Sequence, residues 1–342
     1  MSGVRMACLV ATLVAGLANG VWAEEAVAPR HLPRTWSEAF SHADKLLEEA
    51  KGADCNGNDR ICALGRMGLA QSAVSVPTKL HEFCARATEA APPACQESAV
   101  VASRMETLAA RAEEVKGQTA WAGATAWRNA PERAGRTLRA ADIETFIDLT
   151  RAALRDSACP GQRRVCLAGR IEAVVEADQM LRTANACGAL LPLEQGACNR
   201  GLVRLSLEIQ RLGREELVTA LSSQDWIDAV AWGPFIEGDA FLLAQHLDDD
   251  PAFQNWILAR LKIAMQSGRA DPVRYAYLSD RIEVNAGHAQ SYGTQGECVT
   301  TDGKGTWRPM PIRDVDKIEA RRAAMNMRPF STYSAEMSGY CS

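Results

Sequence analysis

Between Arg163 and Cys187 the apolar residues Val165, Ala168, Ile171, Val174, Val175 and Leu181 return at three- and four-residue steps, and no Gly-Pro pair interrupts them. That period predicts one long helix with an apolar face. Helical segments from about Asp142 to Arg155 and from about Cys198 to Leu221 flank it, so the region reads as a three-helix unit. The chain upstream follows the same plan, with Pro77 expected to kink the middle helix. From Trp226 the texture changes, and "GDAFLLAQHLDDDPAFQNWILARLKIAMQSG" reads as two helices. The second should be capped by Asp250, opened by Pro251 and ended by Gly268. Another capped helix is predicted from Asp271-Pro272 to about Val284. "SYGTQGECVTTDGKGTWRPMPI" alternates weakly around Asp302-Gly303, a hairpin signal, and Asp314 or Asp316 should begin a last helix through "KIEARRAAMNM".

The cysteines organise this pattern. Cys55, Cys62, Cys84 and Cys95 are spaced by 7, 22 and 11, and Cys159, Cys166, Cys187 and Cys198 by 7, 21 and 11. "RICALGR" from Arg60 matches "RVCLAGR" from Arg164, and Arg34-Thr35 matches Arg136-Thr137, a period near 104 residues. An internal duplication follows. The expected architecture is mainly α: two disulfide-stapled three-helix units, residues 24–125 and 126–225, then a small helical domain with a β-hairpin, residues 226–342. Helix length selects the pairing, because the ends of a continuous middle helix lie about 30 Å apart at 1.5 Å per residue. Disulfide Cα atoms must approach to about 6 Å. Cys55–Cys62, Cys84–Cys95, Cys159–Cys166 and Cys187–Cys198 are the pairs that can close, and Cys298–Cys341 is the remainder. The same distance opposes a tetracysteine zinc site.

The opening "MSGVRMACLVATLVAGLANGVWAEE" has one early arginine, a short apolar run and small residues up to Ala23. This is a secretory signal pattern for residues 1–23, with Ala28 as the other cleavage position. The run is too short for a good membrane span. Removal takes Cys8 with it, so eleven cysteines become ten, an even number that suits disulfides in a periplasmic or secreted chain. The net charge of −4 and the lack of a basic stripe argue against nucleic acid. No phosphate loop, nucleophile elbow or His-Glu-x-x-His motif calls for a cofactor or a catalytic metal. Asp248-Asp249-Asp250 lacks the alternation of a calcium loop and reads as a helix start.

The combination Gln245-His246, Asp280-Arg281, Gln290 with Tyr292-Gly293-Thr294-Gln295, and "RPMPIRDVDKIEARRAAMNMRPFSTY" resembles a bacterial domain family of unknown function. The resemblance covers about Trp232 to Tyr333 and implies a shared fold for that stretch, with no reaction attached. The chain departs from the family pattern at Cys298, at its "TDGKG" turn and at Met325-Asn326-Met327. The residues themselves define a candidate site. His246 lies among Leu242, Leu243 and Leu247, and a buried Asp280 beside it would hold its tautomer for general acid–base work. Arg281, Gln290, Tyr292 and Gln295 would bind an anionic substrate, the first through its fork of donors. The structural alternative is that Tyr292-Gly293-Thr294 is a tight turn and Asp280-Arg281 an ordinary ion pair.

Two functional readings follow. In one, the stapled repeats make a non-catalytic binding protein that contacts a protein or an envelope component, with no stable membrane insertion. In the other, His246 and Asp280 serve a hydrolase- or transferase-like enzyme acting on a small anion.

Overall fold

The computed structural model describes residues 31–341 except 54, 56–58, 87–94, 96–98, 118–139, 158–162, 184–191 and 302–303; the expected signal segment lies outside the described residues. Helices α1 (Trp36–Gly52), α2 (Arg60–Arg86) and α3 (Ala99–Gly117) pack on one another, as do α4 (Ala140–Asp156), α5 (Arg163–Thr183) and α6 (Pro192–Ala220). These helices lie where the apolar periodicity predicts them. Thr35 caps α1 by accepting from the Glu38 amide at 3.1 Å, and Glu38 reaches back to the Arg34 amide at 2.8 Å. Pro77 lies inside α2, which continues to Arg86.

The long middle helices carry the contact between the units. A Cβ placed on Gly65 of α2 would stand 1.8 Å from the Val165 carbonyl oxygen of α5, and one on Gly169 of α5 would stand 1.8 Å from that of Ile61. The crossing is reciprocal, since Ile61 and Val165, like Gly65 and Gly169, occupy corresponding places in the two cysteine blocks. Only a residue without a side chain lets two helix backbones approach this closely.

Helix length has the consequence expected for the cysteines. Cys55–Cys62 and Cys84–Cys95 close at the two ends of α2, with Cα separations of 5.4 and 5.2 Å. Cys166 and Cys198 are also disulfide-bonded. Their expected partners, Cys159 and Cys187, lie outside the described residues.

Past the units come α7 (Ala229–Trp232), α8 (Pro234–Gln245), α9 (Pro251–Gln266) and α10 (Pro272–Asn285). Asp250 and Asp271 cap α9 and α10 through the amides of Phe253 and Val273, and Gly268 beyond α9 has φ +74°, as the sequence predicts. Helix α8 packs against α2, α5 and α6. Its Ile236 amide donates to Ser72 Oγ at 3.2 Å, and Gly233 has no room for a side chain against Ser72. One hydrophobic core therefore runs from Trp36 of α1 to Leu278 of α10, without a break at residue 226.

Strands β1 (Gly296–Thr301) and β2 (Lys304–Pro309) form the antiparallel hairpin, with Thr301 opposite Lys304. The predicted turn residues Asp302-Gly303 lie outside the described residues. The end of the chain differs from expectation. Asp314 has φ +40° and makes no side-chain cap; a short 3-10 turn, Val315–Lys317, leads into α11 (Ile318–Ala324). A further helix, α12 (Phe330–Gly339), then packs on β2. Cys298–Cys341 ties the tail to the hairpin, and the Trp307 amide of β2 donates to Ser338 Oγ at 3.1 Å.

Candidate functional site

The polar residues singled out in the sequence separate into distinct hydrogen-bonded groups. His246 ends α8, and its Nδ1 lies 2.6 Å from Oδ2 of Asp178 on α5. Arg182, one turn on, donates to the other oxygen of Asp178 at 2.8 Å. Burial works against ionised Asp178, but His246 and Arg182 outweigh it and hold its carboxyl below the usual range. The acid beside His246 is thus Asp178, a residue 68 positions away, and the expected Asp280 contact is not made.

Asp280 turns instead toward the chain that follows α10. Fully buried, it accepts from the amides of Ser291 (2.8 Å), Tyr292 (3.0 Å) and Thr294 (3.0 Å) and from the Thr294 hydroxyl (3.0 Å). Burial raises its pKa, and the four donors oppose that rise. Gly293, at the centre of this loop, has φ +69° and faces the Phe330 ring, so the turn has the glycine-dependent geometry expected of Tyr292-Gly293-Thr294. Gln290, also fully buried, donates to the carbonyls of Gln295 (2.8 Å) and Met310 (2.9 Å) and accepts from the Gln295 amide (2.8 Å). Asp280 and Gln290 therefore spend their hydrogen-bonding capacity on the corner between α10 and the hairpin. Arg281 joins Asp248 through Nε (2.7 Å) and Nη2, and Gln254 and Asn285 complete the carboxylate's partners. Gln295 is brought to Arg281 at 3.5 Å.

Behind the corner lies a cleft of about 720 Å³. One wall comes from the first helical unit and the residues before it: His31, Leu32, Lys79, Glu82 and Phe83. The other comes from α10, α11 and α12, with Arg274, Tyr277, Arg322 and Tyr333. The corner positions this second wall. Arg322 Nη1 donates to the Tyr292 carbonyl at 2.6 Å, and the Tyr333 hydroxyl donates to the Thr294 carbonyl at 3.0 Å. Arg322 Nε donates to the Arg328 carbonyl at 2.7 Å, and the guanidinium lies over the Tyr333 ring, 4.9 Å from its centre. Arg322 is 1 % exposed, and among the described residues no carboxylate stands within ion-pair distance of it. Arg274 pairs with buried Glu237 at 3.2 Å, Lys79 with Glu82 at 2.8 Å, and Arg328 with Glu336. Burial pushes the Tyr333 hydroxyl well above the ordinary phenol range, so it serves as a donor rather than a base.

A family model described as a family of unknown function (DUF6624) matches residues 167–338, half of the chain. The chain belongs to this family. No curated protein and no solved structure matches it. The DUF6624 segment begins inside α5 and so extends well upstream of the Trp232–Tyr333 resemblance. It includes both Asp178 and His246, the whole corner and the Arg322–Tyr333 wall. The opposite wall, with Lys79 and Phe83, lies outside it. Sequence reading did not single out Arg322, Tyr333 or Asp178. The first two stand inside "RRAAMNMRPFSTY", whose arginine pair and final tyrosine belong to the resemblance. Asp178 had no local signal at all.

Proposed function

We propose that this DUF6624 protein is an exported, non-catalytic binding protein whose ligand seat is the cleft between the first helical unit and the α10–α12 wall. The observation that carries the reading is Arg322, a buried guanidinium that lines a 720 Å³ opening, donates to two carbonyls and has no ion pair among the described residues. Pockets of this size, at the junction of separate chain regions, suit small molecules. Export is supported by the secretory pattern at residues 1–23 and by the disulfides, which persist in oxidising compartments. No described helix is long and apolar enough to cross a membrane.

The test uses Thr332→Trp. Thr332 is exposed on α12 and lines the cleft, so a tryptophan there obstructs the opening without entering the core. In a thermal-shift and native mass-spectrometry screen of the oxidised chain against small metabolites, ligands that stabilise the wild type should not stabilise Thr332→Trp. Equal stabilisation of both proteins excludes the cleft as the seat.

A second reading, a hydrolase- or transferase-like enzyme, draws on the His246–Asp178 contact, a geometry suited to general acid–base work. It requires a turnover that His246→Ala abolishes and Thr332→Trp leaves intact.

A further inference from the structure

We infer that the ligand is a small organic acid carrying one carboxylate on an apolar body, with Arg322 as the carboxylate's partner. The inference rests on the cleft being the binding seat, and it adds the chemical class.

The argument begins with charge. An arginine taken out of water is costly unless it is paired and hydrogen-bonded. The Arg322 guanidinium has five N–H donors, two of which reach the carbonyls of Arg328 and Tyr292. Lys79, Arg274 and Arg328 each have a carboxylate partner, and the other lining carboxylate, Asp271, caps α10 through the Val273 amide and lies 3.8 Å from His31, so Arg322 is the lining guanidinium with no ion pair among the described residues. One cation outside any ion pair matches a carboxylate better than a dianionic phosphate monoester, whose second charge would stay unpaired and would face Asp271 across the cleft. A carboxylate also accepts two parallel donors from a guanidinium.

The rest of the lining describes the remainder of the ligand. Tyr277 and Tyr333 meet edge to face at 6.3 Å, and Phe83 faces them from the first helical unit. Val273 and Met327 add aliphatic surface. Rings and aliphatic groups around one cation suit an aromatic or aliphatic body ending in a single acid. Phe83 comes from outside the DUF6624 segment, so the anion-binding wall belongs to the family region and part of the wall that meets the apolar body does not.

Isothermal titration of the full oxidised chain tests this with phenylacetate, indole-3-acetate and decanoate, against phenylacetamide and phenyl phosphate. At least one carboxylate should bind the wild type, with phenylacetamide and phenyl phosphate each at least tenfold weaker than phenylacetate. Arg322→Gln should bring phenylacetate and phenylacetamide within twofold of each other. Because Arg322 also braces two carbonyls, Phe83→Ala on the opposite wall gives a second measurement, and it should weaken acid and amide by the same factor. Equal binding of acid and amide to the wild type, or a preference for phenyl phosphate, overturns the ligand class while leaving the cleft as a binding seat. Binding of the carboxylates undiminished by both Phe83→Ala and Thr332→Trp overturns the cleft itself, as does no binding of any probe.

Discussion

Asp280 and Arg322 are both buried charges, set on either side of the Tyr292-Gly293-Thr294 turn, and their surroundings differ in kind. Asp280 has four donors converging on its two oxygens. Arg322 donates to two neutral carbonyls and faces an opening in which no described carboxylate meets it. A fully satisfied polar network makes one conformation the favoured one, whereas a cation without an anion leaves an interaction for a ligand to complete. Asp280 and Gln290, which looked like chemistry in the sequence, bind the backbone of the corner, and the arginine beside that corner lines the cleft. The corner fixes the wall of the cleft through the Tyr292 and Thr294 carbonyls.

The largest effect on this pairing should come from the disulfide that holds α12, and with it Tyr333, to the hairpin. Cys298 and Cys341 are 43 residues apart, and replacing both with serine should cost about 4 kcal/mol in the chain-entropy model. Urea unfolding measures the loss. A change below about 1 kcal/mol would mean that the tail is held by packing alone.

Asp280→Asn comes next. It places an amide N–H₂ against the amide and hydroxyl of Thr294 or the amides of Ser291 and Tyr292, and should destabilise the protein by about 3 kcal/mol. The scaffold role predicts this loss with or without ligand. A variant as stable as the wild type but unable to bind or turn over a ligand would return Asp280 to the functional site.

The helices, their caps at Asp250 and Asp271, the staples at the ends of α2 and the hairpin were all legible, because each is set by local spacing and elementary geometry. The reciprocal packing of Gly65 and Gly169 was visible only as a repeated glycine; its meaning needed the two helices to be brought together. Helix α12 was missed because "FSTYSAEMSG" has no side-chain cap and little apolar periodicity. The candidate site was only partly legible for a related reason. Asp280, Arg281, Gln290 and Gln295 lie close in sequence and so read as a cluster, but the backbone reverses among them and turns Asp280 inward. The cleft joins His31 to Phe83 with Asp271 to Tyr333, about two hundred residues apart, beyond the range of any local motif.

A smaller effect should appear in acid. Asp178 and Asp248 are held below the usual carboxylate range; in each, burial opposes ionisation but the neighbouring donors, chiefly His246 and Arg281, prevail. A depressed folded pKa contributes stability above the unfolded value, about 3.9, that is lost as pH falls through the folded value. Asp280, raised by burial, works in the opposite sense, and its share of stability grows as pH falls through its raised folded pKa toward the unfolded one. Urea midpoints at pH 5, 3.5 and 2.5 should therefore fall less steeply in Asp178→Asn and Asp248→Asn than in the wild type. An unchanged slope in both variants would show that these pairs carry no linked stability.

The smallest effect on stability should be that of Thr332→Trp, within about 0.5 kcal/mol of the wild type because the position is exposed. Its effect on ligand binding should be complete. This separates the two sides of the turn, since corner substitutions unfold and cleft substitutions only disarm.

The most direct test is to titrate phenylacetate into isotopically labelled chain and follow the guanidinium signals of Arg322 and Arg281 together with the imidazole of His246. Binding at Arg322 predicts a saturating shift there, with Arg281 and His246 unmoved. A shift centred on His246 and Arg281, with Arg322 silent, would contradict it and place the functional site on the Asp178 side of the molecule.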